Sequence, residues 1–222
     1  MNASDDSKLR FHSIQLKNRQ DLHLARKLWH VCGVSLMALI YVYWGKQISF
    51  RILSTLVLII VPLDILRQRS HRLNTIVLKV LGWLMRKNEY QAISGTSYLF
   101  VGGLFLLLFP PPIVVLSLLF LAFADPIASY FGIRYGKDRI VGNKTLQGTA
   151  AAFVVCVIIS AIYYYQNNIM IERIFIVSPL SGLIGAAAEL IPIGHLDDNF
   201  TFPILCAAFL CVLFYLFGGF GF

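Results

Sequence analysis

Apolar residues in this chain come in long runs, and the polar ones collect at one end of each run. Runs of bilayer-crossing length occupy residues 29–45, 48–66, 94–109, 112–131, 147–165, 174–193 and 200–217. A helix needs roughly 20 mainly apolar residues to traverse the hydrocarbon core. A shorter stretch, 73–86, sets Leu73, Ile76, Val77, Val80, Leu81 and Leu84 at helical spacing between Arg72 and the pair Arg86 and Lys87. It reads as an amphipathic helix lying in the membrane interface. Pro110, Pro111 and Pro112 punctuate the connection between the third and fourth runs. The pattern predicts an all-α, polytopic integral membrane protein of about seven transmembrane helices plus one interfacial amphipathic helix.

Composition agrees: of 222 residues, 58% are hydrophobic and 14% charged, too apolar for a soluble domain. Two regions are expected, a basic cytosolic N-terminal segment over 1–25 and a membrane-embedded catalytic domain over 26–222. No cleavable signal peptide is expected, because the opening residues are polar and basic. The net charge of +8 matters through its distribution. Lys8, Arg10, Lys17, Arg19, Arg26 and Lys27 precede the first run, Arg67, Arg69, Arg72, Lys79, Arg86 and Lys87 follow the second, and Arg134, Lys137, Arg139 and Lys144 follow the fourth. The alternate connections are poor in Lys and Arg, so the positive-inside rule predicts a cytosolic N-terminus and an outer C-terminus. The membrane expected is a bacterial inner membrane or one of the endoplasmic-reticulum type, and the basic loops suit anionic lipid headgroups. No nucleic-acid-binding spacing is present. Cys32, Cys156, Cys206 and Cys211 all lie in apolar runs and read as small buried hydrophobes.

With that orientation, the chemistry-bearing residues fall at the inner ends of the runs. Asp125 closes the fourth run, four residues from Ser129 and so on the same helix face. An ionisable residue in a membrane segment is costly and marks function by default. Pro126 weakens the local hydrogen bonding and suggests a broken or re-entrant helix there. Gly132 to Lys137 and Gly142 to Gly148 form a glycine-and-lysine loop whose amides and ammonium groups suit phosphate, with a helix beginning near Thr145. It lacks the spacing of a Walker loop, and a basic loop touching headgroups is the plain alternative. Glu189, after Gly185 and three alanines, lies where small residues allow close helix packing. With Asp197 and Asp198 it forms a candidate magnesium set, since magnesium takes a few carboxylates plus substrate phosphates. Asp64 and Arg67 have the spacing of an intrahelical ion pair, and Ser94 that of a helix N-cap. Lys27 and His30 open the first run, where His30 serves either as a phosphate contact or base or as a snorkelling interfacial side chain. His195 lies beside the acidic loop.

These strings resemble the signatures of the CTP-dependent lipid kinases, a group that includes dolichol kinase, phytol kinase and the CTP-dependent diacylglycerol kinase of fungi. The resemblance rests on Ala124-Asp125-Pro126-Ile127-Ala128-Ser129 and then Gly132, Gly136-Lys137 and Gly142-Asn143-Lys144-Thr145-Leu146-Gln147-Gly148. Glu189 follows, then Asp197-Asp198-Asn199-Phe200-Thr201-Phe202-Pro203. Arg26-Lys27-Leu28-Trp29-His30, Asp64-Ile65-Leu66-Arg67 and Ser94-Gly95-Thr96-Ser97-Tyr98 also fit, in the family's order. Gln147 departs from the acidic or other polar residue common at its position.

The resemblance implies transfer of the γ-phosphate of CTP to a lipid alcohol (a polyprenol such as dolichol, phytol or diacylglycerol) with Mg2+ as cofactor. Asp125, Lys144, Glu189 and Asp198 would carry catalysis. Lys27, His30, Gly136, Lys137, Gly142, Asn143, Lys144, Thr145 and Gly148 would bind the nucleotide, and Asp125, Glu189, Asp197 and Asp198 the metal. Arg134 and Arg139 are further phosphate candidates, and Asp125 is alternatively the base that takes the lipid hydroxyl's proton. The family is related to the phosphatidate cytidylyltransferases, and such an activity is the alternative. The longer signature of a CDP-diacylglycerol synthase is not evident. A transporter would place ionisable groups near the midplane within inverted repeats, and none is seen. A non-catalytic membrane protein would tolerate Asp125→Asn. Self-association into a homo-oligomer is compatible with the sequence.

Overall fold

The computed structural model describes residues 24–90, 92–194 and 196–220. Nearly all of the basic segment expected over 1–25, and His195, lie outside them. The first element, α1 (Leu24–Arg69), is 46 residues of helix interrupted at Gly45, whose φ of 74° and ψ of −178° are not helical. That backbone region is essentially reserved for glycine. The interruption makes a hairpin. Arg26, near one end of α1, pairs with the Glu89 side chain, and Arg67, near the other, donates to the Glu89 carbonyl. A straight helix over that length would hold the two arginines ~60 Å apart. The limbs, 24–44 and 46–69, are the first two expected spans.

The interfacial helix is α2 (His71–Leu81), capped by Ser70 and five residues shorter at its C-terminus than the stretch expected. Its Leu73, Ile76, Val80 and Leu81 are exposed, as is Trp83 just after it, which packs edge-on against Trp29 at 6.4 Å. Next come α3 (Gly95–Leu106), α4 (Pro111–Leu119), a π-helical turn over Phe120–Ala124 and α5 (Asp125–Tyr135). A short antiparallel hairpin follows, β1 (Arg139–Val141) with β2 (Lys144–Thr145). The chain closes with α6 (Leu146–Gln166), α7 (Ile174–Leu190) and α8 (Asp198–Phe217).

Five of these helices are long and apolar enough to cross a membrane: Leu24–Arg69, Pro111–Tyr135, Leu146–Gln166, Ile171–Leu190 and Asp198–Phe217. With α1 as two limbs and α3 included, the expected segments are all present as helices in order. At 12 residues α3 spans only ~18 Å, so the expected count of seven is met in segments and not in spanning length. The stack Pro111–Tyr135 lies at the centre, with 67% of its most apolar window buried against 17% for α1. The remaining helices surround it, and their outward faces carry large exposed side chains such as Leu58, Phe175, Tyr215 and Leu216. These are the faces that lipid covers in a polytopic protein.

Two readings of the sequence are corrected. Pro126 does not break the helix. The chain runs from α4 into α5 through the π-helical turn. In that register the carbonyl of Leu121 would bond the amide of residue 126, which proline lacks. His30 supplies the partner instead, with Nε2 at 3.0 Å from the Leu121 oxygen. The glycine-and-lysine stretch is not an irregular loop either, because its second half is the β1–β2 hairpin.

Candidate functional site

The ends of α1, α3, α7, α8 and α6 nearest the polar residues meet beside α5 at one end of the bundle. Lys144 on β2 is the centre. Its Nζ lies 2.7 Å from Glu189 Oε1, in the last turn of α7, and 3.2 Å from Asp198 Oδ2, in the first turn of α8. The other Glu189 oxygen accepts from Thr149 Oγ1 at 3.2 Å. The Glu189 side chain is only 5% exposed, so it depends on these two partners. Asp125 lies within electrostatic reach of Lys144 on one side and Lys27 on the other. Burial alone would depress the Lys144 pKa. The carboxylates of Asp198, Asp125 and Glu189 outweigh it and hold the ammonium above its ordinary 10.5, so Lys144 is a fixed positive charge.

Local sequence explains how Lys144 arrives there. Thr145 caps α6 by accepting from the Gly148 amide at 3.3 Å. The hairpin base then packs on α5. A Cβ at Gly148 would stand 2.7 Å from the Ala128 carbonyl and 3.3 Å from the Gly132 Cα. Only glycine lets α6 begin so close to α5. The second cation arrives on α1, where Lys27 Nζ donates to Ser129 Oγ at 2.9 Å and to the Pro126 carbonyl at 3.3 Å. Asp125 thus opens α5 half-buried, directly after the π-helical turn, between two lysines.

The structure sorts the remaining candidates. Lys137, Gly142 and Asn143 are exposed on the hairpin segment, and Arg134 and Arg139 are exposed as well. The Lys137 amide bonds Gln147 Oε1 at 3.1 Å. Gly136 packs against Thr145. Asp197 caps α8, accepting from the Asn199 amide at 3.0 Å, and its Oδ2 lies 3.8 Å from Arg86 Nη1. The cation it pairs with is Arg86 and not Lys144. Asn199 donates from Nδ2 to the Gly95 carbonyl at 2.8 Å.

Among the described residues, no group of three or more His, Cys, Asp or Glu side chains is gathered to hold a metal ion. The donor set still suits magnesium in one respect. Glu189 and Asp198 converge from two helices, and magnesium takes one or two carboxylates and completes its shell with phosphates and water.

A second polar knot joins this site from behind. Asp64 and Arg67, side chains 5% and 2% exposed, form the expected intrahelical pair. They also bind the start of α3 through its cap Ser94, the helix cap expected, and Ser97 in its first turn. Sequence reading missed Thr149, Glu89, Asn74 and Arg86 as partners. Thr149 carries a signal in hindsight, one helical turn beyond the Thr145 cap and facing the same way. The others have none: Glu89 and Arg86 meet partners distant in sequence, and Asn74 meets Arg67 across the break between α1 and α2.

Three curated proteins, each called CTP-dependent diacylglycerol kinase 1, are similar to this chain. The protein of Eremothecium gossypii is 34% identical over 67% of this chain and 53% of its own length. That of Schizosaccharomyces pombe is 30% identical over 68% and 74%. That of Saccharomyces cerevisiae is 30% identical over 69% and 60%. The match spans about half the length of the first of these relatives. No family model matches the chain, and no solved structure does. With the signature strings and the gathered polar cluster in the same helical bundle, the chain belongs to the CTP-dependent diacylglycerol kinase family.

Proposed function

We propose that the chain is an integral membrane kinase that moves the γ-phosphoryl group of CTP to the hydroxyl of diacylglycerol. The observation that carries this reading is the half-buried cluster around Lys144, with Asp198, Asp125 and the buried Glu189 within its reach and Lys27 on the far side of Asp125. Phosphoryl transfer asks little covalent chemistry of a protein and much positioning and charge stabilisation. The fixed ammonium of Lys144 beside carboxylates, with Lys27 across Asp125, is suited to that work. The choice of CTP and of diacylglycerol among lipid alcohols follows the names of the relatives.

In this mechanism Lys144 and Lys27 bind the nucleotide's phosphates and offset the charge that develops between the β- and γ-phosphorus. Exposed Lys137, Asn143 and Gly142, on the hairpin segment, lie where they meet the outer part of the nucleotide. The diacylglycerol oxygen attacks the γ-phosphorus, the bond from that phosphorus to the β–γ bridging oxygen breaks, and CDP leaves. Asp125 takes the hydroxyl proton. Magnesium, held by Asp198 and Glu189 with Asp125 nearby, would supply further neutralisation of the phosphates. The lipid enters sideways between helices, its hydroxyl at the interface. The basic connections and the N-terminus lie on the cytosolic side, by the charge bias of the sequence.

The test is purified protein in mixed micelles with magnesium, CTP labelled at the γ-phosphorus, and diacylglycerol, phytol and prenols offered separately. Label passes to diacylglycerol with release of CDP, and Asp125→Asn abolishes it. Pyrophosphate release on supplying phosphatidate, with no transfer to any alcohol, would overturn the kinase in favour of a cytidylyltransferase.

A further inference from the structure

The Asp64–Arg67 pair is built more elaborately than an intrahelical ion pair requires. Arg67 Nη2 donates to the carbonyls of Glu89 at 2.9 Å and Ala92 at 2.8 Å. Its Nη1 reaches Asn74 Oδ1 at 3.2 Å and the Tyr90 carbonyl at 3.5 Å, while Nε holds Asp64 Oδ1. Five acceptors therefore surround the five N–H donors of one guanidinium. Asp64 Oδ2 in turn accepts from the Ser94 amide at 2.6 Å and from Ser97 Oγ at 2.7 Å. A buried ion pair is a poor source of stability compared with apolar packing, so such a pair is better explained by the geometry it fixes.

What it fixes are two arms that lead into the site. Glu89, whose carbonyl Arg67 holds, pairs through Oε1 with Arg26 Nη2 at 2.7 Å, off the angle of a hydrogen bond. Arg26 precedes Lys27. Ser94, whose amide Asp64 holds, precedes Gly95, and the Gly95 carbonyl receives Asn199. Asn199 follows Asp198. The arms come together at one point: a Cβ on Gly95 would stand 2.7 Å from Arg26 Nη2 and 2.8 Å from Asn199 Nδ2. Lys27 and Asp198, on opposite sides of the site, are thus each one residue from a common buried support.

We infer that Asp64 and Arg67 are positioning residues of the phosphate site, fixing Lys27 and Asp198 relative to each other through Glu89 and the Ser94–Gly95 turn. The inference rests on the reading of Lys27 and Asp198 as residues that meet the nucleotide. It predicts a defect specific to CTP. Misplacement by about 1 Å from a distant change costs about 100-fold in rate.

The test uses the full chain in nanodiscs, comparing Asp64→Asn and the gentler Ser97→Ala with the unaltered protein. Three quantities are read: kcat, the separate KM values for CTP and diacylglycerol, and the rise in Tm on adding CTP with magnesium. The expected result is a raised KM for CTP in Asp64→Asn with kcat/KM for CTP lowered by about 100-fold, a smaller change of both in Ser97→Ala, and an unchanged KM for diacylglycerol. A merely structural role would lower Tm and the active fraction but leave the KM for CTP where it was, and that result overturns the inference. If Asp64→Asn does not fold, Ser97→Ala decides alone. If the unaltered protein transfers no phosphate but CTP still raises its Tm, the kinase reading fails separately. The inference then stands or falls on whether Ser97→Ala and Asp64→Asn weaken that rise. Neither transfer nor a CTP-induced rise would overturn both.

Discussion

Replacing Lys144 by Met tests whether the centre of the site is a coupled buried pair. The Glu189 side chain is 5% exposed and has two partners, Lys144 and the Thr149 hydroxyl. Lys144→Met keeps the unbranched stem of the side chain and removes the ammonium, so a buried carboxylate is left with one neutral donor. Breaking a buried pair from one side costs about 3–5 kcal/mol. Asp198, 28% exposed, loses the same ammonium but can turn to water, so it adds little. For a chain of this size that converts to a fall in Tm of about 6–20 °C, at roughly 2–4 °C per kcal/mol. Glu189→Gln added to Lys144→Met removes the stranded charge and keeps an acceptor for Thr149, so the double variant recovers most of the loss. Thermal unfolding of the four proteins in one detergent completes the cycle. A double variant no more stable than Lys144→Met would refute the coupling. Phosphoryl transfer is lost in all three variants, so stability and activity separate cleanly.

Three further outcomes are expected. His30→Ala leaves the Leu121 carbonyl, on a residue 1% exposed, without its donor, costing about 1–3 kcal/mol. His30→Gln restores part of the loss, and equal Tm values for the two variants would count against this role. Gly45→Ala and Gly45→Asn both strain the α1 hairpin, because φ of 74° with ψ of −178° lies where neither side chain is tolerated. Each costs about 1–3 kcal/mol, read as a lowered Tm, although a Cβ there meets nothing within 4 Å among the described residues. The pH dependence follows from Lys144, whose folded pKa is raised above 10.5. Its pairing contributes stability in full below the unfolded value and loses it as pH rises through the folded one. On the alkaline side, the Tm advantage of the unaltered protein over Lys144→Met with Glu189→Gln therefore stays flat from neutrality until pH reaches strong alkali, where it shrinks. A decline already at neutral pH would contradict it.

The sequence exposed the helices and the gathering of the polar residues at one end. Both depend on long-period patterns that the solvent imposes, apolar length for the bilayer and segregation of charge from it. The hinge at Gly45 is an example: with Lys46 beside it and apolar runs on each side, the turn was legible, although its backbone region was not. The π-helical turn was not legible. It depends on which donor replaces the missing amide of Pro126, and that donor, His30, lies far away in sequence. The hairpin of β1 and β2 was hidden because five strand residues carry almost no periodicity. The bonds of Arg67 to the Glu89 and Ala92 carbonyls were hidden too, since backbone acceptors leave no mark on residue identity.

Asp197, Asp198 and Asn199 show most clearly where adjacency misleads. Read along the sequence, the two aspartates form an acidic pair that invites a shared cation. On the structure they occupy the N-cap and first turn of α8. Successive residues there point in different directions, because neighbours on a helix face are three or four apart and not one. Asp197 turns back to cap the helix and faces Arg86, Asp198 faces Lys144, and Asn199 faces Gly95. Asp198 instead finds its carboxylate companion in Glu189, from a different helix and brought within reach by the same ammonium. Three consecutive side chains thereby join α8 to the loop after α2, to the β-hairpin and to α3. Rotating the start of α8 by one residue would exchange all three partners at once. The short connection between α7 and α8 thus sets the register of the site as well as its charge.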